Sequence, residues 1–293
     1  YYKLIIIIAI PMIISNISTP LLGIIDTSII GRISIDQIAA IAIGSTLLSF
    51  IYFCFSFFRM GTTGLIAQAW GIQDLQSIHN IIRSNIYLAI LCGIFCIIFI
   101  FLLKDALLTL FSTNSSIHSY VSSYINIRIV GAPATFINFV IFGFLLGSNK
   151  PWDLLKLVLF INTLNIILDI YLGLHLNYQL NGIAYGTIIS EYCGVLIGFY
   201  FMRNLLPDVN YRSKAKIFKN TIKNIFISNF NLFLRTSLIL TSILMFTAIG
   251  SRLGNTILAA NAILIMLQMF MSYSLDGFAQ AAEVLVGNEF GKK

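Results

Sequence analysis

Asp26 and Asp169 are carboxylates placed inside long apolar runs, Leu4–Ile30 and Leu154–Leu174. About 20 apolar residues in a helix cross the ~30 Å hydrocarbon core of a bilayer. An acid at the centre of such a helix costs roughly 2.5–3.5 kcal/mol on insertion scales, so one that is kept points to proton or cation chemistry. Asn165 lies one turn before Asp169, on the same helix face, and adds an amide to the site. Two carboxyls in a poorly solvated cavity cannot easily both ionise, which makes a shared proton exchangeable.

These side chains need long membrane helices to hold them. The sequence predicts eight spans, at about 4–30, 37–58, 84–103, 121–146, 154–174, 181–202, 225–249 and 257–286. Within the first, Pro11 and Pro20 each remove a backbone bond and bend the helix; Pro133 does the same in the fourth. Counting Lys and Arg on alternate sides gives twelve against three and puts the N-terminus in the cytoplasm. Asp26 then lies late in an outward-running helix. Asp169 is thirteen residues beyond Lys156 on another, ~20 Å along it at ~1.5 Å per residue. Thr187 and Tyr124 come early in inward-running helices, so all four fall in the outer half of one bundle. Glu191 is a turn from Thr187, and Arg128 a turn from Tyr124. Arg128 has three acids it could balance. Glu191 reads first as its structural partner and second as a transport residue, Asp26 first as a site acid and second as an outer cap, and Tyr124 equally as a site residue or an interfacial anchor.

The rest of the composition excludes more than it suggests. Of 293 residues, 58% are hydrophobic and 10% charged, against ~25% charged in soluble domains. The net charge of +7 is concentrated in one connection (Arg203, Arg212, Lys214, Lys216, Lys219, Lys223) without aromatic platforms, which speaks for topology and against nucleic acid. Cys54, Cys92, Cys96 and Cys193 all lie in apolar runs, and His79, His118 and His175 are scattered, so no metal or disulfide framework is expected. No nucleophile–base pair suggests an enzyme, and no cofactor is implied.

The chain also repeats itself. Shifting 31–71 by 220 residues onto 251–291 gives ten identities in 41 positions, among them Arg32/Arg252, Ala39/Ala259, Phe58/Phe278 and Gly71/Gly291. The first half continues through four more spans, and the second stops after Gly291. With a first residue that is not Met, the expectation is a piece of a twelve-span protein with two like-oriented bundles. The expected division is residues 1–202 as a six-helix N-lobe, 203–224 as a basic cytoplasmic loop and 225–293 as the first two helices of a C-lobe.

Pro11-Met-Ile-Ile-Ser-Asn16, Asp26-Thr-Ser-Ile-Ile-Gly31, Arg59-Met-Gly-Thr-Thr-Gly-Leu-Ile-Ala-Gln68 and Gly131-Ala-Pro133 resemble the multidrug and toxic compound extrusion (MATE) transporters. Leu234-Arg-Thr236, Ala259-Ala-Asn261 and Ala282-Glu-Val-Leu-Val-Gly287 narrow the resemblance to the branch named after the DNA-damage-inducible protein F. It implies an all-α polytopic fold and antiport of small organic compounds, cationic or amphipathic, against protons or, second in order, sodium. It also implies a monomer in the plasma membrane. Asp26 and Asp169 would bind the coupling ion, with Asn165, Thr187 and Tyr124 supplying hydrogen bonds and Pro11 the bend. Thr19 stands where the family has a larger amide, and Asn138 matches a fourth-helix amide. Two other readings stay open: a lipid-linked saccharide flippase of the same superfamily, and a non-transporting remnant or membrane scaffold.

Overall fold

A computed structural model describes residues 2–31, 34–109, 115–206, 230–243, 245–246 and 255–292. Most of the basic connection at 203–224, and with it Arg212, Lys214, Lys216, Lys219 and Lys223, lies outside the described residues, as do Arg32 and Arg252.

Apolar runs of membrane-spanning length must satisfy their backbone internally, and every described span is helical. The elements are α1 (Tyr2–Ile30), α2 (Ile35–Cys54), α3 (Phe57–Gly71), α4 (Leu75–Thr109), α5 (Ser115–Arg128), α6 (Ala132–Gly147), α7 (Pro151–Leu168), α8 (Gln179–Leu205), a shorter α9 (Phe230–Ile243) and α10 (Asn255–Gly291). Among the described residues, six segments are long and apolar enough to cross a membrane. Three of these six are composite. The segment Asp36–Gly71 breaks at Phe55-Ser56 between α2 and α3. The fourth breaks at a 3-10 turn, Ile129–Gly131, and restarts with Pro133 in the first turn of α6, where a missing N–H costs nothing. The fifth changes at Asp169 from α-helix to a π-helix, Asp169–His175. α1 runs unbroken through both prolines.

The segment containing α5 and α6 is the most deeply buried of the six, packed against α2, α3, α4, α7 and α8. Outward faces stay apolar: on α4, Phe95, Ile98 and Leu102 are exposed, as suits lipid. Phe55 stacks on Phe136 of α6 at 4.7 Å, and Phe233 of α9 approaches both Phe55 and Phe57 at 6.2 Å. This aromatic knot fills the α2–α3 break. At the start of α4, Asp74 accepts from the Ser77 hydroxyl (2.5 Å) and backbone N–H (3.0 Å), capping the helix. Those two bonds hold its carboxyl below the usual carboxylate range.

α10 lies against α1 and α3. Gly71 meets the Asn288 carbonyl, Gly291 meets the Gln68 carbonyl, and a Cβ on Gly287 would stand 2.8 Å from Cβ of Ala67. Adding 220 turns 67, 68 and 71 into 287, 288 and 291. The contact is therefore reciprocal, with a two-fold operation passing between 67 and 287.

Candidate functional site

The π-helix begins at Asp169, and such widened turns recur at functional positions. Asp169 is fully buried, and its Oδ1 faces Gly186 of α8, where any Cβ would collide with it. Asp26 reaches across from α1, close enough for a hydrogen bond between the two carboxyl groups. Among the described residues, no donor hydrogen-bonds to either Asp169 oxygen or to Asp26 Oδ1. Two carboxylates can only accept, so a hydrogen bond between them would require one of them to be protonated.

Around the pair, Asn165 Nδ2 donates to Thr187 Oγ1 (3.2 Å), and the Thr187 hydroxyl donates to the Ile183 carbonyl (2.9 Å). Asn165 is fully buried, and its Oδ1 is left without a donor. Tyr124 is buried with its ring on Gly44 of α2, in the electrostatic field of both aspartates, Arg128 and Glu191. The side chain of Thr19 lies outside the described residues.

Arg128 is the fixed cation nearest this pair by sequence reasoning, and the structure commits it elsewhere. It makes a two-point ion pair with Glu191, Nη2–Oε1 2.8 Å and Nη1–Oε2 3.2 Å, with both side chains 12% exposed. Thr135 donates to Glu191 Oε2 (2.7 Å), Tyr52 donates to the Arg128 carbonyl (3.2 Å), and the Tyr52 ring lies 5.4 Å from the guanidinium carbon. Asn138 donates to the Glu191 carbonyl (3.0 Å), so it belongs to this second group and not to the aspartates. A bidentate pair satisfied by further hydrogen bonds is the stable form of buried charge. The Arg128 guanidinium is held by Glu191, while Asp26 and Asp169 lie within its longer-range field.

Sequence reasoning gathered Asp26, Asp169, Asn165 and Thr187, and the structure brings them together. It missed Gly186, Tyr52 and Thr135. Gly186 immediately precedes Thr187, but only the packing of α7 on α8 shows why a hydrogen must stand there. Arg59, near the start of α3, points into the α1–α3–α10 junction, where Nη2 donates to Asn16 Oδ1 (3.3 Å) and Asp276 and Glu283 face it.

The chain is 34% identical over 291 residues to the DNA damage-inducible protein F of Escherichia coli (strain K12), covering 98% of this chain and 63% of the relative. It is 24% identical to the multidrug export protein MepA of Staphylococcus haemolyticus, covering 96% of this chain and again 63% of the relative. It thus spans about two thirds of the length of these relatives. The fold overlays on an outward-facing multidrug resistance MATE family transporter with a TM-score of 0.86 at 20% identity, over 99% of this chain and 66% of the other. That overlay makes the architecture a MATE-like six-helix N-lobe followed by the first two helices of a C-lobe. Residues 11–171, which contain both aspartates, the Asn165 amide and Arg59, match the MatE family, and the chain belongs to it.

Proposed function

We propose that this chain is the larger part of a secondary transporter that exports small organic, often cationic or amphipathic, compounds in exchange for protons carried by Asp26 and Asp169. One observation carries the reading: the buried Asp169 and half-buried Asp26 carboxyls face each other, with no donor among the described residues on either Asp169 oxygen or on Asp26 Oδ1, while the neighbouring guanidinium is paired to Glu191. Asn165, Thr187 and Tyr124 hold the pair in place. The N-terminus lies in the cytoplasm, as the twelve-to-three distribution of basic residues supports. The aspartates then sit in the outer half of the plasma membrane, within a monomer. Residues 1–202 form one lobe, 203–224 the connection and 225–293 the start of the other. Protonation from outside removes the charge that keeps Asp26 and Asp169 apart and lets the Pro11-bearing helix shift, closing the N-lobe cavity on its cargo.

The inward proton gradient supplies ~1.4 kcal/mol per pH unit and ~2.3 kcal/mol per 100 mV for each net charge moved. A second reading has its own support: the unpaired Asn165 Oδ1 and the carboxylate oxygens are the hard ligands a sodium ion takes. Efflux of ethidium from liposomes holding the complete gene product, under an imposed pH or sodium gradient, separates the two. The expected result is drive by pH alone, abolished in Asp26→Asn and in Asp169→Asn without loss of folding. Near wild-type export by both variants would place the coupling site elsewhere, and drive by sodium alone would favour the second reading.

A further inference from the structure

The polar residues of α1 between its two prolines point to three different helices. Ser18 donates to the Ser15 carbonyl (2.8 Å) and accepts from Asn162 Nδ2 of α7 (3.0 Å). Asn162 lies three and seven residues before Asn165 and Asp169, on the face that carries them. Asn16, buried to 9% exposure, accepts from Arg59 of α3 (3.3 Å) and donates to the Tyr273 carbonyl of α10 (3.4 Å). A turn beyond Tyr273, a Cβ on Gly277 would stand 3.0 Å from the Ala9 carbonyl and 2.5 Å from Ile13, so α10 lies flush on α1 there.

Asn16 also sits at one of the two proline-weakened points of α1. Pro20 has no N–H to give to the carbonyl four residues earlier, which is that of Asn16 itself. A tilt of the outer segment, which carries Asp26, is absorbed at this residue. Arg59 has an alternative partner waiting: among the described residues it makes no ion pair within 4 Å, yet Asp276 and Glu283 both face it from α10. Released by Asn16, it has carboxylates to turn to. An unpaired polar group in a membrane interior is costly, so such an exchange favours two discrete arrangements over a continuum.

We propose that Asn16 and Arg59 are positioning residues that pass movement of α1 at the aspartate pair to the α1–α3–α10 junction, coupling ion binding to movement between the lobes. The inference rests on the proton-driven reading above. It is tested by Asn16→Ala and Asn16→Asp in the complete gene product, reconstituted in liposomes. Two rates are compared: ethidium efflux under a pH gradient, and proton uptake without drug. For Asn16→Ala, efflux should fall by about tenfold or more while drug-free proton uptake stays within about twofold of wild type. Asn16→Asp, which can still accept from Arg59, should recover about a third or more of the lost rate. If Asn16→Ala folds poorly, Arg59→Lys asks the same question, because it keeps the charge but loses the fork; about a fivefold loss of efflux with unchanged proton uptake is expected. Efflux within about twofold of wild type in the folded variants, or proton uptake lost in parallel with efflux, overturns the proposal. If the Asp→Asn variants abolish efflux and Asn16→Ala does not, the relay falls and the proton reading stands. If the Asp→Asn variants export normally, both fall.

Discussion

Gly186→Ala tests whether the exact seat of Asp169 matters. The new methyl would overlap Asp169 Oδ1 and stand 3.2 Å from the Asp169 backbone nitrogen and 3.3 Å from Cγ, both tighter than the 3.4–4 Å of ordinary contact. Backbone lies on both sides, so the carboxyl must turn away or α7 must retreat from α8. Overpacking of this kind costs ~1–3 kcal/mol in stability. A displacement of about 1 Å at a positioned group costs up to ~10²-fold in function. Gly194→Ala supplies the control on the same helix. Its methyl would stand 2.5–2.6 Å from the side-chain carbons of Ile161 and in ordinary contact, 3.4 Å, with Asn138 Oδ1, with neither aspartate among its nearest neighbours. Both variants should lose similar thermal stability in detergent. Only Gly186→Ala should lose proton-driven ethidium efflux, by about tenfold or more, with Gly194→Ala within about threefold of wild type. Equal losses of efflux would mean that the α7–α8 contact matters only as packing, and would refute the reasoning.

Two further predictions concern stability. Glu191→Ala strands the Arg128 guanidinium and should cost ~3–5 kcal/mol, toward the lower end because both groups keep some exposure; Arg128→Met with Glu191→Leu should recover at least half of the loss in thermal unfolding, and a double variant no better than the single would oppose this. Asp74→Ala removes the α4 cap and should cost ~0.5–1 kcal/mol at neutral pH, discounted because the carboxyl is largely solvated. The folded-state pKa of Asp74 is depressed, so its contribution is complete above the unfolded value of ~3.9 and is lost as pH falls through the folded one. Melting curves should show the wild type and Asp74→Ala converging below about pH 4; a gap that widens in acid would contradict the assignment.

The spans and the aspartate pair were legible because their signals are local. An acid in a twenty-residue apolar run stands out, and a four-residue spacing puts Asn165 on the face of Asp169. Breaks made by tertiary packing left no such mark. Nothing in Phe53-Cys-Phe-Ser-Phe57 announces the end of α2, since there is no proline or glycine; the rings of Phe136 and Phe233, far away in sequence, fix the turn. The sequence offers Glu191 as a partner of Arg128, and the structure pairs them, but positions 63 residues apart have no spacing rule that could fix the choice. Depth alone could not say which of three acids the guanidinium would choose. The direction of Arg59 likewise depends on α10, and helix ends are where a long cation is hardest to aim from sequence.

The reciprocal seating of α3 on α10 bears on how such a chain arose. Where equivalent positions meet on an axis, two separate copies of one bundle must carry the same residue on both sides, as in any two-fold dimer. At 67 and 287 that identity is excluded for alanine, because a second methyl would lie 2.8 Å from the first. A self-pairing ancestor would have needed glycine at both places or a wider gap. Once duplication had joined the copies into one gene, each side could mutate alone. Alanine opposite glycine is a combination open to a chain with two unlike halves and closed to a homodimer packed this closely.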